Sequence, residues 1–392
     1  MKEEPAWTAV LSLAMGVFGL LTAEYLPASL LTPMAVDLGV SEALAGQAVT
    51  VTALVALFAG LLVPGLTRTI DRRVVLLGLS ALMVISNLLV AASSSLAVLL
   101  LMRILLGIAL GGFWSMAAAV AMRLVPAALL PRALAIIFSG IAVGTVVAVP
   151  LGSFMGGRYG WRSAFLAAAA VGVVTLAFQW FTLPRLSPTK ATRLRSVLDV
   201  LRRPGIGVGM LGCVLVHTGH FALFTYIRPF LESTTGVGPD GLALLLLGFG
   251  VANFLGTLLA GWLLHRSERA TLVLMPALVG IAALALVGLP AAVPVQALLV
   301  ALWGLAFGAV PVAWSNWVAR AVPDQAESAG GMVVASVQSA IAAGAAAGGA
   351  MFSISGIAGV FVAGGLLMLL AALWIALAVR VTPAGHDKEA AG

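Results

Sequence analysis

The sequence predicts an all-α integral membrane protein with twelve transmembrane helices, arranged as two bundles of six. Of its 392 residues, 62% are apolar and 9% are charged, whereas soluble domains have roughly 45–50% and about 25%. Apolar segments near the roughly 20 residues that a helix needs to cross a bilayer recur along the chain. One long polar connector divides the chain near its middle. The composition excludes both a soluble globular domain and a disordered chain.

Hydropathy and helix-breaking residues place the spans in order. The first apolar run follows Met1–Pro5, which has no net positive charge, and no small-residue cleavage site comes after it, so we expect a retained span rather than a signal peptide. The alternating ten-residue segments of a membrane barrel are missing from the sequence. The spans are predicted at 8–31, 43–67, 74–92, 96–122, 132–157, 163–183, 206–230, 240–264, 270–289, 295–318, 328–352 and 357–379.

The basic residues predict the orientation. With twelve spans and a cytoplasmic N-terminus, all but four of the 21 lysines and arginines fall in cytoplasmic segments, as the positive-inside rule requires. The exceptions are Arg158, Arg162 and Arg228 on the outer side and Arg103 inside a span. Both termini are therefore expected in the cytoplasm. Because the basic residues are scattered over short connectors, the net charge of +7 does not indicate a nucleic-acid partner.

An internal repeat divides the chain into two similar halves. Gly107–Gly111 followed by Arg123–Pro126 matches Gly304–Gly308 followed by Arg320–Pro323, at a constant offset of 197 residues. We therefore predict an N-terminal six-helix bundle over 1–183, a cytoplasmic linker over 184–204 and a C-terminal six-helix bundle over 205–392.

A weaker match pairs Ile141–Gly144 with Ile341–Gly344. Two matches near half the chain length indicate parallel six-helix repeats, an architecture of secondary transporters that bind substrate between the halves, near the middle of the membrane.

Two motifs identify a family. Leu99–Gly107 reads L-x-x-x-R-x-x-x-G, with Arg103 as its arginine, and Val149–Gly152 precedes a Gly160–Trp161–Arg162 turn. Both resemble motifs of the drug:proton antiporters of the major facilitator superfamily. The resemblance implies a monomer without a cofactor that works by alternating access in the bacterial cytoplasmic (inner) membrane. It also implies gating roles for Pro150 and Gly152.

The connector after the second span departs from the family pattern. It resembles the element G-x-x-x-D-R-x-G-R-R, but Arg68 stands at the usual acidic position and Asp71 at the second glycine. We therefore expect a gate built from Asp71, Arg72 and Arg73.

Further similarity favours the purine ribonucleoside exporters within this family. The segments that carry this similarity are Glu24–Pro27, Ser29–Met34, Gly111–Trp114, Phe224–Pro229 and Asp324–Glu327. It implies that purine nucleosides and their analogues leave the cell in exchange for protons. A broader drug or sugar exporter of the same family is the alternative, and the sequence leaves the direction of flux open.

The positions of Glu24 and Arg103 support proton coupling independently. Glu24 is the acidic residue, and Arg103 the basic residue, predicted to lie well inside a span. A charge at such a position costs at least about 2.5–3.5 kcal/mol on insertion scales. Apolar surroundings favour the protonated carboxyl and a guanidinium favours the ionised one, so Glu24 could load and release a proton. The alternatives are a static ion pair with Arg103 and direct contact with substrate.

Aromatic, histidine and amide side chains are the candidates for substrate contacts. A purine could stack on aromatic rings, and amides and neutral histidines could bind its heteroatoms. His217 and His220 lie one turn apart on one helix face. Packing or interfacial anchoring is the alternative for each tryptophan and histidine. The predicted contacts are Tyr25, Trp114, His217, His220, Phe224, Tyr226, Asn253, Trp314, Asn316 and Gln338, with Trp303 and Trp317 nearby in the same spans.

Other classes of function lack sequence support. There is no G-x-x-x-x-G-K-[ST] loop for ATP and no arrangement typical of a hydrolytic site. Cys213 is the single cysteine, and no further ligand clusters with the two histidines, so neither a disulfide nor a metal site is expected.

Overall fold

A computed structural model describes residues 5–126, 129–188, 199–289, 292–322 and 326–379, which form α-helices and the connections between them. The middle of the predicted linker, 189–198, lies outside these residues, as do Asp324, Gln325 and several of the basic residues used for the orientation. The first bundle contains α1 Trp7–Ser29, α2 Leu31–Leu38, α3 Glu42–Ala45, α4 Gln47–Leu66, α5 Arg72–Ala91, α6 Leu96–Leu124, α7 Leu130–Tyr159 and α8 Trp161–Thr182. The second contains α9 Ile206–Thr225, α10 Ile227–Thr235, α11 Pro239–Arg266, α12 Glu268–Gly288, α13 Val293–Ala321 and α14 Ala326–Ala378.

The all-helical prediction is confirmed for the described residues. Among these residues, eleven helices are long and apolar enough to cross a membrane. The last two predicted spans fall within α14 except for residue 379, and the 53 residues of α14 would make a straight helix about 80 Å long. Gly356 interrupts α14 with φ 70° and ψ −175°, between these two spans. Glycine suits this backbone because it carries no Cβ. The count of twelve spans stays a prediction.

Capping residues fix where several helices begin, two residues before the predicted start for α5 and α12 and at the predicted start for α6. Asp71 caps α5 by accepting a hydrogen bond from the amide of Arg73, and Ser95 and Ser267 cap α6 and α12 in the same way. The predicted seventh span, 206–230, is wrong as a single helix, because the chain turns at Tyr226 between α9 and α10.

The structure contains the predicted repeat as a packing contact. A Cβ added to Gly111 of α6 would clash with Ala56 O and Gly60 N of α4, and a Cβ added to Gly308 of α13 would clash with Asn253 O and Thr257 N of α11. Each partner is again 197 positions from its counterpart. Small residues thus let the same two helix backbones approach closely in both bundles.

A second close contact corrects the weaker sequence match. Gly140 of α7 faces Ala14 O and Phe18 N of α1, and Gly344 of α14 faces Thr218 O and Ala222 N of α9. The structural counterpart of Gly344 is therefore Gly140, one helical turn before the Gly144 that the sequence match pairs with it.

The two bundles meet along α7 with α11 and α4 with α14. We call the end of the molecule that carries Asp71 the Asp71 end, and the opposite one the Ser29 end. Polar contacts join the bundles at the Ser29 end, where Arg228 Nη1 donates a hydrogen bond to Ser29 O and Arg158 pairs with Asp240 at 3.3 Å.

Candidate transport site

A carboxyl and an amide from different bundles meet inside the molecule. Glu24 lies on α1 and Gln338 on α14, and their side chains are 4% and 5% exposed. Gln338 Nε2 donates a long hydrogen bond of 3.5 Å to Glu24 Oε1. The structure therefore places the predicted coupling residue at the boundary between the two bundles.

Arg103 of α6 lies beside this pair but does not bind the carboxyl directly. Its Nε donates to Thr52 Oγ1 and its Nη1 to the carbonyl oxygen of Ala23, both at 2.9 Å. Its Nη2 is buried without a hydrogen-bond partner. Within the described residues, the direct ion pair proposed as an alternative for Glu24 and Arg103 is not formed, and the guanidinium is held one residue away along α1.

An aromatic cluster in the second bundle surrounds His220. The His220 ring stacks on Phe307 with centroids 3.2 Å apart and lies nearly parallel to Phe224 at 5.5 Å. Phe249 and Trp303 complete the cluster at 6.5 and 5.7 Å. His220 is thus enclosed by ring faces and is 3% exposed.

Hydrogen bonds assign the role of Nδ1 in both histidines. The indole Nε1–H of Trp303 can only donate, and it lies 3.1 Å from His220 Nδ1, so that nitrogen is an acceptor and the ring is neutral. His217 Nδ1 lies 2.8 Å from the carbonyl oxygen of Cys213, which can only accept. His217 Nδ1 therefore carries the hydrogen.

Tyr25 connects the carboxyl to the aromatic cluster. It follows Glu24 on α1, and its ring meets Phe224 edge-on at 5.6 Å across the two bundles. The structure thus brings together Glu24, Gln338, Tyr25, Phe224 and His220. A flat ligand with a polar end would find both ring faces and hydrogen-bonding groups at this junction.

Four other residues that were predicted to contact the substrate bind other groups of the protein. Trp114 stacks on Phe138 at 6.0 Å, and the Tyr226 hydroxyl donates to Ala345 O at 3.1 Å. Asn253 Nδ2 donates to Gly304 O at 3.3 Å, where α11 packs on α13. The Trp314 ring meets Trp317 edge-on at 5.6 Å. None of these contacts involves Glu24 or Gln338.

Asn316 belongs to a polar cluster at the Asp71 end. Its Nδ2 donates to Glu268 Oε1 at 2.6 Å, and Arg320 pairs with Glu268 Oε2 at 3.2 Å. Glu268 is not among the site residues predicted from the sequence. The repeat could have found it, because Glu268 and Arg320 lie 197 positions after Asp71 and Arg123.

The predicted gate residues bind the connector that follows α8. Asp71 Oδ1 accepts from Leu186 N at 3.0 Å, and Arg72 N donates to Leu186 O at 2.9 Å. The Arg72 guanidinium contacts Thr67, and Arg73 lies over the ring of Trp180. These contacts all lie within the first bundle and its connector.

Pro150 lies inside α7, and Gly152 of the same helix packs closely on α1. A Cβ added to Gly152 would meet Leu26 Cδ2 at 2.7 Å and Ser29 Oγ at 2.6 Å. Gly152 therefore lies next to the Ser29 end of α1, where the two bundles join.

Membrane-length helices in two repeated bundles, with a buried carboxyl where the bundles meet, define a multi-span membrane transporter. The sequence profile of the Major Facilitator Superfamily matches residues 13–326 and 209–392, and the chain belongs to this family. The family membership predicted from the motifs is thereby confirmed.

Curated relatives and a solved structure agree with this assignment. The chain is 44% identical over 379 residues to the purine ribonucleoside efflux pump NepI of Salmonella enteritidis PT4 and to that of Salmonella typhimurium LT2, covering 97% of this chain and 96% of each relative. The fold is similar to the crystal structure of a D-xylose-proton symporter, with a TM-score of 0.77 and 20% identity, covering 96% of this chain and 98% of the symporter.

Proposed function

We propose that this protein exports purine ribonucleosides and their analogues across the bacterial cytoplasmic membrane in exchange for protons. The similarity to efflux pumps of that name over nearly the whole chain supports the substrate class. We further propose that the protein works as a monomer in the lipid bilayer, with both termini in the cytoplasm.

The contact between Glu24 and Gln338 carries the proposal of proton coupling. Alternating access moves one bundle relative to the other around a central site. A titratable carboxyl at the boundary between the bundles changes its surroundings during such a movement. It can then take up a proton on one side of the membrane and release it on the other.

The basic connectors favour a cytoplasmic position for the Asp71 end under the positive-inside rule. The Ser29 end then faces outwards. In this assignment the contacts of Arg228 with Ser29 and of Arg158 with Asp240 close the outer side.

Transport in proteoliposomes tests the proposal. We expect labelled inosine to move against its gradient when a pH gradient is imposed, and the movement to stop when an ionophore collapses that gradient. Protein-free liposomes are the control. If a sugar or a cationic drug is moved and inosine is not, the substrate class is wrong. If inosine moves equally well without a pH gradient, the proton coupling is wrong.

A further inference from the structure

We propose that Glu24 and Gln338 bind the ribose of the nucleoside through its 2′ and 3′ hydroxyl groups, and that protonation of Glu24 releases the sugar. This inference rests on the proposed function, because it names the part of the nucleoside that the site recognises.

The polar groups around Glu24 have unused hydrogen-bonding capacity. Glu24 accepts one hydrogen bond at 3.5 Å, which is at the upper limit for such a bond. Gln338 Oε1 and Arg103 Nη2 are both buried without a partner. Buried polar atoms are nearly always hydrogen-bonded, so two unpartnered atoms beside a weakly bound carboxyl indicate a place for a polar ligand.

The chemistry of these groups matches a pair of neighbouring hydroxyls. Glu24 and Gln338 Oε1 are acceptors, whereas Arg103 Nη2 and Gln338 Nε2 are donors. Each hydroxyl offers one donor and two acceptor lone pairs, so the ribose diol can satisfy both kinds of group. Acidic side chains bind ribose hydroxyls in the same manner in dinucleotide-binding folds. A free purine base has no such pair of hydroxyls.

The aromatic cluster around His220 lies next to the polar groups at Glu24, where it can receive the purine base of the nucleoside. Tyr25 is adjacent to Glu24 in the chain and contacts Phe224, which belongs to the cluster around His220. A sugar held at Glu24 therefore places its purine towards ring faces. Stacking would hold the base without requiring a particular pattern of heteroatoms.

Sharing Glu24 between sugar and proton would couple their movements. An ionised carboxylate accepts a hydrogen bond from each of two hydroxyls, but a protonated carboxyl has gained a donor and lost acceptor capacity. Within the described residues, the charged group that acts on Glu24 is Arg103 of α6, and Glu24 in turn acts on Tyr25 of α1. A proton that arrives from outside would displace the nucleoside outwards, and its later release to the cytoplasm would restore the sugar site.

Nucleosides with altered sugars test the inference on the unmodified protein. Binding of inosine, 2′,3′-dideoxyinosine and hypoxanthine is measured by titration calorimetry on protein in nanodiscs at a fixed neutral pH. We expect dideoxyinosine and hypoxanthine to bind about 10- to 100-fold more weakly than inosine, because each lost hydroxyl leaves buried groups unpaired.

A matched pair of variants locates the effect. Gln338→Met keeps the size of the side chain and removes its hydrogen bonds, so it should reduce the affinity for inosine about 10-fold and leave that for dideoxyinosine unchanged. Gln296→Met is the control, because Gln296 is also buried with an unpartnered Oε1 but donates to Leu286 O in the second bundle. It should change neither affinity.

The outcomes separate the two proposals. Equal affinity of the unmodified protein for inosine and dideoxyinosine would overturn the ribose assignment while leaving nucleoside export intact. Equal weakening of both ligands by Gln338→Met would also overturn it, since the amide would then not act through the hydroxyls. Failure of the protein to bind any of the three compounds would refute the proposed function itself.

Discussion

Arg228 donates a hydrogen bond to the main-chain carbonyl oxygen of Ser29, the last residue of α1, across the boundary between the two bundles. The Arg228 side chain is 5% exposed and also pairs with Glu232 Oε1 at 2.8 Å. The final carbonyls of a helix lack partners within the helix and attract cations. A charged side chain of the second bundle thus satisfies the end of a helix in the first.

We expect Arg228→Gln to shift the protein towards a state that is open at the Ser29 end. Losing a hydrogen bond from a charged group costs about 1.5–3 kcal/mol, which corresponds to a population shift of roughly 10-fold or more. Spin labels attached after Val36→Cys and Leu244→Cys would measure it, since both positions are exposed and lie in different bundles. Arg162→Gln is the control, because Arg162 binds Asp37 and Ser93 within the first bundle. An unchanged distance distribution for Arg228→Gln would refute the closure role.

Replacing Glu24 with glutamine should abolish uphill transport driven by a pH gradient. The amide keeps the size of the side chain but cannot take up and release the proton. We expect exchange of labelled for unlabelled nucleoside to persist with reduced affinity, because the amide retains an acceptor oxygen. Vesicles with and without an imposed pH gradient provide both readouts. Full uphill transport by the variant would show that another residue couples the proton.

The close approach of α6 to α4 should not tolerate a larger residue at Gly111. We expect Gly111→Val to lower the free energy of unfolding by roughly 1–3 kcal/mol or more, because the added side chain would meet main-chain atoms. Gly78→Ala on α5 is the comparison, since a Cβ there meets no atom within 4 Å. It should be neutral or stabilising by up to about 1 kcal/mol. Thermal unfolding in detergent compares the two, and similar melting temperatures would contradict the packing argument.

The two histidines should differ in their effects on stability and on substrate binding. His220→Ala should lower the melting temperature, with a loss of roughly 2–4 kcal/mol, because it removes a ring from the aromatic cluster. His217→Ala should weaken nucleoside binding about 3- to 10-fold with little effect on melting, because Nδ1 donates to Cys213 O and Nε2 of a neutral ring can accept a hydrogen bond from the nucleoside. Nucleoside titration and thermal unfolding of both variants decide between these roles. A larger loss of affinity for the His220 variant at unchanged stability would contradict these roles.

Asp37 should make stability depend on pH at the Ser29 end. Hydrogen bonds from Arg162 and Trp161 hold the pKa of the Asp37 carboxyl below its ordinary value. Its contribution is therefore complete above the ordinary pKa of aspartate and is lost as the pH falls through the lowered value. The effect should be small, because the Arg162 and Asp37 side chains are 39% and 45% exposed. The difference in melting temperature between the unmodified protein and Asp37→Asn should shrink from pH 7 to pH 3, and a constant difference would contradict this assignment.

The helices and the repeat could be predicted because lipid imposes a simple constraint on the sequence. A span must be apolar for about 20 residues, and the charges collect in the connectors between spans. Hydropathy does not mark the last turns, however, since hydrogen bonding continues a helix beyond the hydrocarbon. The helix α7 therefore runs to Tyr159 and α11 to Arg266. The turn at Tyr226 was missed although Thr225, Arg228 and Pro229 flank it, because the predicted span was extended through them to residue 230.

The candidate site could be predicted only residue by residue. Glu24 was identified because a charge is costly within a span, and Gln338 because an amide can bind a purine. Their contact joins positions 314 residues apart, and no local pattern encodes such a distance. Asn316 was predicted to contact the substrate, but its partner is Glu268. The two residues meet only through the tertiary packing of α13 on α12, which the local sequence does not reveal.

The glycine contacts at Gly111 and Gly308 also indicate how the molecule originated. Identical backbone contacts at a fixed offset of 197 residues are the expected trace of a gene duplication that fused two copies of a six-helix ancestor. At the same offset, the counterpart of Arg103 is Val300, a buried aliphatic residue. The two copies have kept their packing and diverged in their chemistry, so Glu24 and Arg103 lie in the first copy and the aromatic cluster around His220 lies in the second.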